Sequence, residues 1–132
     1  MNPVRIVRAA LLLSPVALAP APAPAGAADE GERAFQKCYA CHSVREDETA
    51  GLPGPNLRGV VGRRAAARED FEYSPALREA GRGGLVWSEG ALDAFLADPA
   101  KALPGTTMSF VGLRSEAERS AVIDYLKRRS PR

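Results

Sequence analysis

Apolar residues recur at helical spacing in four stretches of this chain, and no segment alternates in the way a half-buried strand requires. The first helix is expected over residues 29 to 42. Ala34, Phe35, Cys38 and Cys41/His42 fall on one face, and Asp29, Glu30 and Glu32 suit the positive end of a helix dipole. The second is short, with Ser74 as cap, Pro75 at the first helical position and Gly81 as the stop. The third follows Ser88, places Leu92, Phe95 and Leu96 on one side, and ends at Pro99. The fourth opens on "SEAE", residues 115 to 118, which reads as a capping box, and its stripe is Ala121, Val122, Tyr125 and Leu126. The pattern predicts an all-α chain without internal repeats.

Two irregular pieces separate these helices. One runs from residue 43 to residue 73 and is rich in Gly, Pro, Asn and Arg. The other, "LPGTTMSFVGL" (103–113), is apolar yet carries Pro and Gly. A loop as long as the first is uncommon in a compact domain unless it has a task. Four modest helices in a domain of about a hundred residues also make little core of their own. Both pieces look shaped to wrap an object, and a large apolar ligand would supply the missing centre.

The N-terminus changes the picture of where the chain works. Arg5 and Arg8, the apolar run "AALLLSPVALA" (9–19) and "AGA" (25–27) have the order of an export signal. The expected division is a cleaved signal peptide, 1–27, and a single domain, 28–132. The run is short and broken by Pro15, a poor transmembrane helix. The other reading is an uncleaved anchor followed by the Pro-Ala tether "APAPAPA". Removing Arg5 and Arg8 from 18 basic residues leaves 16, against 16 acidic ones, so the domain is near neutral. It has no basic stripe of the kind that binds nucleic acid. Export to the periplasm means an oxidising compartment, where two free cysteines would be unusual.

Those two cysteines and the only histidine lie together in "CYACH", residues 38 to 42. C-x-x-C-H is the attachment signature of c-type haem. On a helix, positions i and i+3 share a face, so Cys38 and Cys41 can reach two vinyl groups along one porphyrin edge. His42 follows at once and can turn its ring under the iron. A thiol–disulfide pair is the competing reading, but it belongs in an α/β context after a strand. A structural zinc site needs about four protein ligands, and two cysteines with one histidine fall short. For the sixth iron position the candidate is Met108, the only methionine besides Met1, which lies in the Gly-Pro loop far along the chain. Its ordinary alternative is a core gap-filler. A thioether favours the softer, reduced iron, so His/Met ligation raises the reduction potential. It also fills both axial sites, which suits single-electron transfer without bond chemistry.

Six further stretches extend the match: "GPNL" (54–57), "GVVGRR" (59–64), "FEYS" (71–74), Trp87, "PGTTMSFVGL" (104–113) and the closing helix through Tyr125 and Leu126. With "CYACH" they make the chain, from about Gly31 to its end, resemble the class I cytochromes c. The resemblance implies the cytochrome c fold: four to five short helices and long loops around one haem c. That haem would be attached through Cys38 and Cys41, with His42 proximal and Met108 distal. It implies that the Pro55 carbonyl receives the second ring nitrogen of His42. Arg63, Tyr73 and Trp87 would pair with or donate to a haem propionate, and Thr106 would sit near the inner one. Gly31, Phe35 and Tyr125 would form the crossing of the first and last helices. Gly54, Gly59 and Gly62 would serve loop conformations that a side chain blocks.

The expected function is then an exported one-electron carrier, not an enzyme, moving between redox protein donors and acceptors of a respiratory or similar chain. It would touch membrane redox complexes transiently, take no small-molecule substrate and act as a monomer. Two departures qualify the resemblance. Phe95 stands where many relatives place a tyrosine hydroxyl near the methionine, and Thr107 replaces the usual lysine before it. The first bears on the iron–sulfur bond and keeps open a ligand-sensing module with a labile Met108. The second, with Lys37 the only obvious lysine at the expected haem edge, argues against docking through a positive ring. A dedicated haem subunit of an exported oxidoreductase is a third possibility.

Overall fold

A computed structural model describes residues 25–48 and 51–130. Five helices form among them: α1 (Ala25–Phe35), α2 (Pro75–Arg82), α3 (Glu89–Ala97), α4 (Pro99–Ala102) and α5 (Glu116–Arg128). The described residues contain no strand, only an isolated antiparallel bridge between Arg64 and Val86. The segment read as an export signal, 1–27, lies outside the described residues except for its last three, which begin α1. No described helix is long and apolar enough to cross a membrane.

The frame is the crossing of α1 with α5. Gly31 makes the close approach possible, since a Cβ there would lie 2.5 Å from the Ala121 carbonyl oxygen and 2.8 Å from the Tyr125 Cβ. Beside it Phe35 is fully buried, its ring 5.1 Å from that of Tyr125. Burial of one such ring stabilises the fold by roughly 1.5–3 kcal/mol. Tyr39 packs edge-on against Phe35 at 4.8 Å, and its hydroxyl lies 3.0 Å from that of Tyr125. α5 is tied in turn to α3 through Arg119–Asp93 at 2.6 Å and Lys127–Glu89 at 2.8 Å.

Local boundaries depart from the periodic reading in four places. α1 starts at Ala25 and stops at Phe35, so the acids at 29, 30 and 32 lie beyond its first turn. Residues 36–41 continue as tightened turns: Cys38 N–H donates to the Phe35 carbonyl at 2.8 Å, and His42 N–H to the Cys38 carbonyl at 2.9 Å. Gly81 does not stop α2. It lies inside the last turn and is glycine because a Cβ there would meet the Ala65 carbonyl oxygen at 2.3 Å, and Gly83 is the C-cap. Pro99, expected to terminate α3, also opens the single turn α4, whose N-cap Asp98 accepts from Lys101 N–H at 3.1 Å. Ser115 caps α5 by accepting from Glu118 N–H at 3.3 Å, but the Glu118 carboxylate turns to Lys37 instead of closing a reciprocal box.

Replacing Gly31 by alanine forces α1 away from α5, and the overpacking is expected to lower unfolding free energy by about 1–3 kcal/mol. Denaturant titration of the two forms measures it, and equal midpoints would contradict the close-contact account.

Candidate cofactor site

A cavity of about 320 Å³ opens between α1, α3, α5 and the two irregular segments. Its walls are largely core side chains, among them Phe35, Val60, Leu92, Leu96, Val122 and Leu126. All nine residues singled out from the sequence line it: Cys38, Cys41, His42, Pro55, Arg63, Tyr73, Trp87, Thr106 and Met108. They arrive from four separate parts of the chain.

His42 is buried, and its Nδ1 lies 2.7 Å from the Pro55 carbonyl oxygen. A carbonyl can only accept, so Nδ1 carries the proton and Nε2 keeps a free lone pair. Burial lowers the imidazole pKa, against a smaller opposing effect of the Pro55 bond, so the ring is held neutral. The ring face is set by a contact that periodicity did not reveal. A Cβ on Gly54 would fall 2.4–2.9 Å from three ring atoms of His42. Gly54 therefore lies flat on the imidazole, and close approach, not an unusual dihedral, is its reason for being glycine. The Gly54 N–H donates to the Cys41 carbonyl at 2.9 Å, which locks this segment to the attachment turn.

The two cysteines differ. Cys38 is half-buried, and burial, helped by Cys41, pushes its thiol up to about 11, whereas Cys41 is exposed. Asn56 knots the loop beneath them. Its Nδ2 donates to the carbonyls of Arg45 and Glu48 at 2.6 and 2.7 Å, and its Oδ1 accepts from Arg58 N–H at 2.8 Å. "GPNL" thus holds three consecutive working residues, of which Pro55 alone was given a role from the sequence.

A polar end of the cavity is formed by Arg63, Tyr73 and Trp87. Arg63 is partly buried and donates only to carbonyls, those of Arg58 at 2.9 Å and Asn56 at 3.2 Å. Burial lowers its pKa, and among the described residues it forms no ion pair. A half-buried cation without an anion is costly. Tyr73 is buried, which raises its phenol pKa, and Trp87 packs at 5.0 Å on Phe95. At another wall Thr106 Oγ1 accepts from Met108 N–H at 3.3 Å, so Thr106 positions the methionine directly.

Comparison with known proteins agrees with this geometry. The family model described as cytochrome c matches residues 28–130. The chain belongs to the cytochrome c family. It is 39% identical over 123 residues to cytochrome c2 of Rhodomicrobium vannielii, covering 93% of this chain and 91% of that protein. With cytochrome c2 of Agrobacterium tumefaciens it shares 40% over 97 residues, 74% of this chain and 86% of the relative. Among solved structures, cytochrome c2 from Rhodospirillum centenum superposes with a TM-score of 0.71 at 38% identity, covering 79% of this chain and 98% of that one. Cytochrome cH from Methylobacterium extorquens gives 0.68 at 40% identity, covering 76% and 97%.

As a cytochrome c, the chain carries one covalently attached haem c and transfers electrons; it is not an enzyme. The donor set fits that group. Cys38 and Cys41 are the only thiols available for thioethers, the walls are apolar, and Arg63 offers an unpaired cation to an acidic edge. Gly54→Ala should push the His42 ring off its bond to Pro55. The expected result is a weaker Soret absorbance per protein or a shifted Soret maximum, and an unchanged spectrum would refute the role given to Gly54.

Proposed function

We propose that this cytochrome c is an exported periplasmic electron carrier whose iron is held axially by His42 and Met108. When bound, the haem supplies a one-electron Fe(II)/Fe(III) couple. What supports the reading above all is that a neutral imidazole with a free Nε2 and the one internal methionine enter the same apolar cavity. His42 provides a nitrogen whose basicity is raised by the Pro55 carbonyl behind it. Met108 provides a soft thioether that favours the reduced iron, and Thr106 steadies its backbone. Arg63, Tyr73 and Trp87 compensate the propionates, which the apolar wall would otherwise penalise. With both axial positions filled, the chain excludes small-molecule substrates and leaves the iron only electrons to exchange.

The domain is 28–132, released from a signal at 1–27, and works as a monomer in transient contact with redox protein donors and acceptors, membrane complexes among them. The decisive experiment is Met108→Ala. It is expected to abolish the sulfur-to-iron charge-transfer absorption of the oxidised protein and to lower the midpoint potential. Retention of both would end the His/Met reading.

The rim of the cavity bears on how partners dock. The exposed lining residues are Lys37, Cys41, Pro53, Arg64, Thr107 and Ser109. Lys37 is paired with Glu118, so Arg64 is the one exposed rim cation outside an ion pair among the described residues, and a single such charge makes only a weak steering field. Electron transfer to a reconstituted partner should therefore change by no more than about threefold between low salt and about 0.15 M ionic strength. A steep fall would mean that charge steers docking after all.

A further inference from the structure

Arg119, in the first half of α5, is nearly enclosed, its side chain 12% exposed. Its Nε donates to Asp93 Oδ1 of α3 at 2.6 Å, and its Nη1 donates to the carbonyls of Leu113 at 2.9 Å and Arg114 at 3.1 Å. Those carbonyls end the segment that leads from Met108 to α5. The same point is closed from α3, where the Leu96 carbonyl accepts from Leu113 N–H at 2.7 Å. Gly112, at φ +92°, lies so close to α3 that a Cβ would sit 2.1 Å from the Ala97 carbonyl oxygen. The other end of the segment is held by Met108 N–H on Thr106 Oγ1 at 3.3 Å and Thr106 N–H on the Leu103 carbonyl at 3.1 Å. Between the two ends the backbone bond is local, Phe110 N–H to the Met108 carbonyl at 3.0 Å, and Val111 is 95% exposed. Met108 thus rides on a short span whose position is decided at its ends.

We infer that Arg119 is a positioning residue for Met108: by joining α3, α5 and the end of the span, its guanidinium sets how readily the thioether leaves the iron. This rests on the reading of Met108 as axial ligand. The physical basis is that the two span carbonyls are held by one charged donor, itself anchored by Asp93. Bonds to a charged donor are stronger than neutral ones, and their loss frees two carbonyls at once. No direct contact between Arg119 and the cavity is needed, since Arg119 does not line it.

The test uses the haem-loaded protein and carbon monoxide, which binds reduced iron only when the sulfur is away. Wild type and Met108→Ala are compared first; equal rates there would refute the ligand reading itself, independently of Arg119. Arg119→Gln is then expected to bind carbon monoxide about tenfold faster than wild type. It should also weaken the charge-transfer absorption and speed hydrogen exchange at the Leu113 amide. Asp93→Asn, which loosens the guanidinium without removing it, should move all three readouts in the same direction by less, and Arg119→Lys should recover part of the wild-type rate. A folded Arg119→Gln whose rate stays within about twofold of wild type, while Met108→Ala is fast, overturns the inference. So does a variant that loses only global stability, seen as a lower denaturation midpoint at an unchanged rate. Where Arg119→Gln fails to load haem, Asp93→Asn decides: unchanged binding rate and unchanged Leu113 exchange refute the role.

Discussion

The hydrophobic core of this chain and the wall of its cavity share many of their side chains. Phe35, Val60, Trp87, Leu92, Leu96, Val122 and Leu126 belong to both. A small domain with five short helices buries too little surface to stand comfortably on helix contacts alone. Its helix packing is concentrated where α1 meets α5 and where α5 meets α3, and the remaining apolar faces turn toward the cavity. The group that fills the cavity is consequently part of the core. Covalent attachment suits that arrangement, because a core component that dissociates would take stability with it.

The same constraint explains why so much of the chain is irregular. Helices present one face to a neighbour, whereas an iron site needs groups delivered from several directions. Residues 43–74 bring Pro55, Arg63 and Tyr73, and the segment after α4 brings Thr106 and Met108. Each loop is fastened by polar atoms that its own sequence supplies. Asn56 binds three backbone groups, Arg78 donates to the Tyr73 carbonyl at 2.5 Å, and Thr106 receives Met108. Such loops can be rigid without regular structure, since their backbone groups are satisfied one by one.

What could be read from the sequence follows from this. The crossing of α1 with α5 was legible through the family resemblance, which implied a contact of Gly31, Phe35 and Tyr125, and these residues do meet along two regular elements. The nine cavity residues were legible through motif and family resemblance, and the fold gathers them. Boundaries were not. Spacing of i and i+3 is satisfied by the tightened turns at 36–41 as well as by a helix, so the attachment motif seemed helical. A proline such as Pro99 both ends and starts helices. Gly54 and Gly81 are glycines because of what lies against them, His42 and the Ala65 carbonyl, and tertiary neighbours leave no local signature. The capping box failed for a similar reason: Lys37, distant in sequence, competes for the Glu118 carboxylate.

That competition has a consequence at the surface. Lys37 stands beside the attachment cysteine at the cavity rim, and Glu118 belongs to α5. Their side chains are 53% and 27% exposed, so the pair is worth at most about 1 kcal/mol to stability. Its larger effect is to cancel a charge at the rim. Thr107 and Ser109, the exposed chain neighbours of Met108, are polar and uncharged, which leaves Arg64 as the one exposed rim cation outside an ion pair among the described residues. Long-range attraction scales with net field, whereas close fit depends on shape and desolvation. On the proposed reading, a carrier of this kind would meet its partners without strong steering and separate from them without a large electrostatic barrier, which suits shuttling between more than one of them.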